Sequence, residues 1–328
     1  MASRLQRQLQ LLTAHLVVAL VALVVIGGAT RVMQAGLACP DWPLCYGSFL
    51  PGRQMNLQVF LEWFHRLDAF VVGMGVLVLA TTAVVQRQQL PRWLPWLSGA
   101  CLVLVAFQGA LGALTVTLLL PPAIVTAHLA TALLLVMLVS VCHQLLEAGA
   151  APLRPEPLAG RPGGLAWPTP PRWWPWLAGW ATLLVAAQSL LGGLMATQWA
   201  ASLCFSSGSG CAWLGAHRFA ATPAALGVLV LAVVTALVPG WCRQQRPLTT
   251  TAALLVISQI GLGVSSLRLQ LSVPGVTIAH QLVAALLLAI LAALTCRGWL
   301  AQLNPSVSAP APAPRSVLSP SPAEVVHG

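Results

Sequence analysis

Charge is scarce in this sequence. Only 7% of the 328 residues are charged, and six of them are acidic, whereas a soluble domain typically carries about 25% charged residues. Hydrophobic residues make up 58% of the chain, and the mean hydropathy is +0.84. The composition therefore excludes a soluble globular protein and predicts a chain that is surrounded mainly by lipid.

Lysine is absent, so the formal net charge of +10 rests on arginine alone. The arginines stand singly at the ends of apolar runs, which is typical of topology signals and not of a nucleic-acid-binding surface. With the N-terminus inside, the inner segments hold eleven arginines and the outer segments five. The positive-inside rule then predicts that both termini are cytoplasmic, in a bacterial plasma membrane or an internal membrane.

A signal-peptide cleavage site is also lacking. No A-x-A-like sequence follows the first apolar run, so we expect this run to remain as a transmembrane helix. Each apolar run is close to the ~20 residues that a bilayer requires, and together they predict an all-α integral membrane protein of eight transmembrane helices. The runs lie at 11–33, 61–85, 93–116, 122–146, 173–196, 216–238, 249–268 and 275–299.

The second half of the chain repeats motifs of the first half. Both histidine pairs, His65 with His217 and His128 with His280, are separated by 152 residues. Further matches are Gly27-Gly28 with Gly192-Gly193 and Gln108 to Gly112 with Gln259 to Gly263. Because each repeat holds an even number of helices, we predict two pseudo-symmetric four-helix bundles in a parallel internal repeat, related by an axis along the membrane normal.

The repeat divides the chain into four parts. We predict an N-terminal half at 1–146 and a C-terminal half at 173–299. The segment 147–172 is rich in Pro, Gly and Ala, and the segment 300–328 is rich in Pro, Ala and Ser. Neither can bury a core, so we expect a disordered cytoplasmic linker and a disordered tail.

The four repeat-related histidines fall within the first turns of even-numbered helices, so they share one depth near the outer face. Polar residues within a membrane usually face the bundle interior, and two histidines per four-helix half suit one heme with two axial imidazoles. Interfacial histidines that are merely wetted are the alternative. A bare zinc or copper ion is disfavoured because the sequence lacks a close His/Cys/Asp cluster of the usual spacing.

Carboxylates lie beside only one of these histidines. Glu62 and Asp68 flank His65 at three residues on either side, on the same helix face, whereas the repeat places Leu214 and Ala220 at these positions. Proton chemistry is therefore expected in the first half alone, with Glu62 as acid or base. The alternative for Glu62 is a structural carboxylate that the helix dipole favours near the start of the helix. For Asp68 we prefer this structural interpretation.

Two arginines, Arg66 and Arg218, directly follow a proposed ligand. A guanidinium pairs well with a carboxylate, so heme propionates are natural partners; the alternative is an arginine that snorkels to the interface.

The outer loops hold two cysteine pairs. Cys39 with Cys45 and Cys204 with Cys211 can each form a disulfide in an oxidising compartment. The first pair could instead be redox-active.

The run from Gly36 to Gly47, GLACPDWPLCYG, and the motif EWFHR at 62–66 resemble sequences of the heme A synthase family. The resemblance covers about residues 11–299 and includes the placement of His128, His217 and His280. It implies oxidation of the C8 methyl group of heme O to a formyl group, to give heme A for cytochrome c oxidase. It also implies a heme b cofactor, an outside electron donor and, as a further partner, the heme O synthase that supplies the substrate.

The resemblance implies a role for each site residue. His65 and His128 would flank the substrate heme, with Arg66 beside it, and His217 and His280 would ligate the iron of heme b. Glu62 would be essential to catalysis, and Cys39 would be bonded to Cys45. The alternatives are a di-heme electron-transfer cytochrome, which does not need Glu62, and a transporter, which is disfavoured because no midplane charge or unwound helix pair is evident.

Overall fold

The structure, a computed structural model, describes residues 4–150 and 170–303. These residues form nine α-helices, of which all except α6 are long and apolar enough to cross a membrane. The prediction of an all-α protein with eight transmembrane helices is therefore confirmed. The helices are α1 (Arg4–Val32), α2 (Leu57–Val85), α3 (Leu94–Thr117), α4 (Pro122–Ala150), α5 (Trp174–Thr197), α6 (Ala200–Ser207), α7 (Cys211–Leu237), α8 (Trp241–Arg268) and α9 (Pro274–Leu303).

Several helices extend beyond the apolar runs. Helix α8 begins at Trp241, whereas the apolar run was placed at 249–268. The first turns of this helix are polar, so hydropathy did not mark them as part of it. Helix α2 begins at Leu57 instead of 61, where the side chain of Asn56 caps it by accepting the N–H of Val59 at 2.9 Å. Helices α4 and α9 likewise run past 147 and 300, where linker and tail were expected to begin. Residues 151–169 and 304–328 of these two segments lie outside the described residues.

The eight long helices pack as two rings of four. Helices α1, α2, α3 and α4 form one ring, in which each helix contacts the next and α4 returns to α1. Helices α5, α7, α8 and α9 form the other in the same order, and the rings meet through α1 with α9, α4 with α9 and α4 with α5. This packing is what two four-helix halves require, while the internal repeat and the domain boundaries stay predictions.

Close packing along α9 joins the two rings. Four of its leucines are almost fully buried: Leu287, Leu288, Leu291 and Leu294. Across the interface, the Ser140 hydroxyl of α4 donates to the carbonyl of Ala289 at 2.8 Å. Lipid offers no hydrophobic drive for helix association, so contacts and hydrogen bonds of this kind hold the rings together.

Helix α6 was not predicted from the Ser- and Gly-rich segment that contains it. It packs on α5 and α7, and the disulfide between Cys204 and Cys211 ties it to the first residue of α7. Gly208 and Gly210 connect the two helices with φ angles of +73° and +76°, which favour glycine. The other predicted pair, Cys39 and Cys45, is bonded as well.

Packing against Trp174 tests the contact between α5 and α9 within the second ring. A Cβ atom on Gly298 would lie 2.8 Å from the fully buried Trp174 ring and 3.0 Å from Cβ of Pro175. We expect Gly298→Ala to destabilise the protein by about 1–3 kcal/mol through overpacking, measured by thermal unfolding in detergent. Gly99→Ala is the control, because a Cβ there meets nothing within 4 Å; equal unfolding midpoints for the two variants would contradict this packing.

Candidate functional site

A continuous cavity of about 2020 Å³ lies near one end of the bundle, within the described part of the chain. It is lined by residues of all eight long helices and by the four repeat-related histidines, so we call this end the histidine end. Ligand pockets usually measure about 300–1,000 Å³. The cavity therefore has room for two sizeable ligands, one in each ring.

Each of the four histidines packs against a glycine of a neighbouring helix. A Cβ on any of these glycines would approach the imidazole Cε1 atom to between 2.9 and 3.5 Å. The pairs are Gly27 with His65, Gly112 with His128, Gly192 with His217 and Gly263 with His280. The matching glycines of the sequence thus leave space for the imidazoles, a role that the sequence comparison did not identify.

In the first ring, the imidazoles have few polar partners. The Nδ1 atoms of His65 and His128 are buried without a hydrogen-bond partner among the described residues. Both imidazoles line the cavity. The side chain of Gln108, one turn before Gly112, accepts a hydrogen bond from the Thr131 hydroxyl at 2.5 Å. Buried polar atoms without a partner are uncommon, and here they mean that no hydrogen bond from Nδ1 fixes the orientation of either imidazole.

In the second ring, glutamines hold both imidazoles. The Gln188 amide nitrogen lies 3.1 Å from Nδ1 of His217 and donates to the carbonyl of His217 at 2.8 Å. Nδ1 of His280 lies 3.1 Å from the backbone oxygen of Gln259. With Nδ1 as the donor, Nε2 of His280 carries the lone pair that a metal takes, and in this structure the Gln259 amide nitrogen lies 3.3 Å from that atom. A backbone acceptor at Nδ1 is the contact that orients metal-ligating histidines.

Gln188 was missed in the sequence. The offset of 165 that relates Gly27 to Gly192 places Leu23 at its position in the first half. The sequence did contain a signal for Gln188, because it is a polar residue in an apolar span and lies one turn before Gly192.

The carboxylate of Glu62 is buried, and each of its oxygens has a hydrogen-bond donor. Oε2 accepts the backbone N–H of Cys39 at 2.8 Å, and Oε1 accepts Nη2 of Arg66 at 2.5 Å. Arg66 also donates from Nη1 to the carbonyls of Asp41 and Leu44 at 2.6 and 2.5 Å. Glu62 and Arg66 line the cavity, so the loop between α1 and α2 holds a carboxylate in place beside His65.

Asp41 closes this loop. Its carboxylate accepts the backbone N–H groups of Tyr46 at 2.6 Å and Gly47 at 2.8 Å. The Gly47 hydrogen bond holds the pKa of Asp41 below its usual value, and the Tyr46 hydrogen bond and the Arg66 charge act in the same direction. The sequence did not single out Asp41 as a site residue.

The remaining predicted residues differ in their surroundings. Arg218 lines the cavity, is exposed, and has no hydrogen-bond partner in the described ranges. Its propionate role and that of Arg66 stay predictions. Asp68 does not line the cavity, and its Oδ2 atom is buried without a partner among the residues described. Leu214, which replaces Glu62 in the second half, is buried at the cavity wall.

Arg31 joins the two rings at the cavity, a role that the sequence did not reveal. Its Nη2 donates to the carbonyl of Ala196, and its guanidinium carbon lies 5.3 Å from the centre of the Trp199 ring. This distance is within the range of a cation–π interaction.

Comparisons with known proteins agree with this architecture. The heme A synthase of Shewanella oneidensis is 36% identical over 123 residues, which are 32% of this chain and 36% of that protein. The heme A synthase of Caulobacter vibrioides is 27% identical over 334 residues, covering 84% of this chain and 92% of that protein. A protoheme IX farnesyltransferase of Haloarcula marismortui is 37% identical over 62 residues, 19% of this chain and 13% of that protein.

The local matches are limited in extent. For the Shewanella protein and for similar Bacillus and Alkalihalophilus heme A synthases, the chain spans only about a third of their length. The family match is much longer, from residue 10 to residue 292. With its eight apolar helices, the chain is a multi-pass membrane protein, and it belongs to the COX15-CtaA family of cytochrome oxidase assembly proteins.

Proposed function

We propose that this chain is a heme A synthase, an oxidoreductase that converts the C8 methyl group of heme O to a formyl group. The observation that carries the proposal is the buried Glu62 carboxylate in a histidine-lined cavity, with Leu214 at the corresponding position of the second half. Family membership and the names of the relatives support it. Oxidation of the methyl carbon, by two hydroxylations and loss of water, requires a group nearby that handles protons.

The substrate site is assigned to the first ring. His65 and His128 would flank the iron of heme O. Their Nδ1 atoms are not held by any described side chain, which suits a molecule that must enter and leave.

The cofactor site is assigned to the second ring, where His217 and His280 would hold heme b. The residues fit this group because two imidazoles line one cavity and the backbone carbonyl of Gln259 can accept Nδ1–H of His280, which leaves Nε2 of that ring for iron. When bound, heme b supplies one-electron redox chemistry. Arg218 lines the same cavity with its donors unengaged within the described ranges, so it can bind a propionate.

Glu62 would accept and release protons as the methyl carbon is oxidised. General acid–base catalysis requires a side chain within reach of the reacting atom. The Cys39 N–H and the Arg66 guanidinium fix the position of the carboxylate. Arg66 thus serves primarily to position Glu62 and the loop, with a propionate as an additional partner.

The proposal includes an orientation and partners. The histidine end would face the outside of a bacterial plasma membrane, with both termini cytoplasmic. An electron donor would act from the outer side. The similarity to a protoheme IX farnesyltransferase supports a functional link to the enzyme that supplies heme O.

Replacing Glu62 tests the reaction. Glu62→Gln keeps an acceptor for Cys39 but cannot take up a proton, so we expect heme A formation to fall about 10²- to 10⁴-fold. The measurement is pigment extraction after co-expression with a source of heme O. Asp68→Asn, on the same helix but outside the cavity lining, is the control and should keep most of the activity. Undiminished heme A in Glu62→Gln would refute the assigned role.

Replacing the histidines one at a time tests the division between the rings. His217→Ala and His280→Ala should shift the Soret band of heme b and lower the amount of heme b retained, because one of its two axial ligands is lost. His65→Ala and His128→Ala should keep heme b and lose heme A formation. Equal loss of heme b in all four variants would contradict the assignment, and a wild-type protein that is colourless even when supplied with porphyrin would overturn the heme proposal altogether.

The two arginines should respond differently to substitution. Arg66→Gln removes the hydrogen bonds to Glu62 and to the loop. We therefore expect less heme A, unchanged heme b and faster reduction of the Cys39–Cys45 disulfide. The rate of reduction is measured by alkylating the thiols that are released. Arg218→Gln should lower heme b retention and leave the disulfide unaffected. The opposite pattern would show that Arg66 acts mainly on a propionate.

A further inference from the structure

The cavity opens sideways between α2 and α3. Phe70, Met74 and Leu77 of α2 line the cavity, yet 64%, 44% and 40% of their surfaces are exposed. In a membrane-spanning segment, such exposed apolar surface faces lipid. The first-ring site therefore connects to the surrounding bilayer along this seam, which we call the α2–α3 slot and define by these three residues together with Ala106 and Gly109 of α3.

Small residues keep the slot open. Ala106 and Gly109 line the cavity, and a Cβ atom on Gly109 would meet nothing within 4 Å. Helices α2 and α3 touch deeper in the seam, where a Cβ on Gly73 would lie 3.4 Å from Cγ1 of Val105. The surface beside Gly109 is therefore open, although the two helices touch elsewhere along the same seam.

The corresponding seam of the second ring carries a bulkier side chain. The offset of 151 that relates Gln108 to Gln259 places Ile257 and Ile260 at the positions of Ala106 and Gly109. This seam also meets lipid, because Leu226 of α7 and Ile260 of α8 line the cavity and are 54% and 47% exposed, but a branched side chain stands there in place of Gly109; Ile257 does not line the cavity. The two rings thus differ in bulk where the cavity meets lipid.

This difference matches a difference between the two ligands of the proposed function, on which the inference rests. Heme O carries a long farnesyl-derived chain, whereas heme b carries only small substituents. An apolar chain gains little by moving from lipid to an apolar protein surface, so a slot acts by shape. It lets the macrocycle reach the histidines while the chain extends into the bilayer.

We propose that the α2–α3 slot is the specificity determinant for the farnesyl-derived chain of heme O, and that Ile260 obstructs this chain in the second ring. The slot selects the tailed substrate in the first ring, and the seam narrowed by Ile260 selects the tail-free cofactor in the second.

The experiment exchanges bulk at the two seams in the full-length protein. Wild type and Gly109→Ile, purified with heme b in the second ring, are titrated with heme O and, separately, with heme b, and first-ring binding is followed by the Soret change. Because a hydrophobic pocket discriminates about 10- to 200-fold per misfitted methylene, we expect Gly109→Ile to weaken heme O binding by at least this factor. Binding of heme b to the first ring should change much less. Gly109→Ala should give an intermediate loss.

The matched variant is Ile260→Gly, which should admit heme O to the second ring and raise its share in pigment extracts after co-expression. Unchanged heme b content in Gly109→Ile shows that the fold is intact. Equal heme O affinity in wild type and Gly109→Ile would overturn the proposal, as would an equal loss of heme O and heme b binding. A wild type that prefers heme O but makes no heme A supports the slot and refutes the proposed oxidation, so the two failures are distinguishable.

Discussion

A bundle surrounded by lipid has to satisfy its polar side chains from within. This constraint explains where the four histidines lie and what surrounds them. Each imidazole rests on a glycine of the adjacent helix, which lets two helices approach closely around a large polar ring. The helices can then enclose a cavity without placing the imidazoles against lipid. The two rings differ in the groups that form hydrogen bonds with these imidazoles.

The imidazoles of the two rings have different hydrogen-bond partners. In the second ring, Gln188 and Gln259 contact the imidazoles. In the first ring, Thr131 engages Gln108, and Leu23 replaces Gln188, so the imidazole Nδ1 atoms have no partner among the described residues. The same scaffold therefore provides one site whose imidazoles are contacted by glutamines and one whose Nδ1 atoms are not held, and Glu62 lines the cavity beside the latter.

The eight membrane spans and the four cavity-lining histidines were predictable from the sequence. Apolar runs predicted the eight spans because hydropathy reports burial in lipid, and the 152-residue spacing singled out the four histidines that line the cavity. The same measure could not locate the start of α8 at Trp241, whose first turns are polar but still helical. It also could not foresee Asp41, Arg31 and Gln188, because their roles depend on contacts between segments distant in the chain. Arg66 illustrates the limit: its position beside His65 suggested a propionate, whereas the folded loop supplies it with two carbonyls.

The pairing of Glu62 with Arg66 has a consequence for how α2 enters the bilayer. An ionised side chain inserts at a cost of about 2.5–3.5 kcal/mol near the centre of a helix, and less towards its ends. The two residues are one turn apart on a single helix, so their charges can cancel before any neighbouring helix or loop is in place. The insertion machinery therefore meets a nearly neutral turn, and the reactive carboxylate reaches its depth already accompanied by a counter-ion.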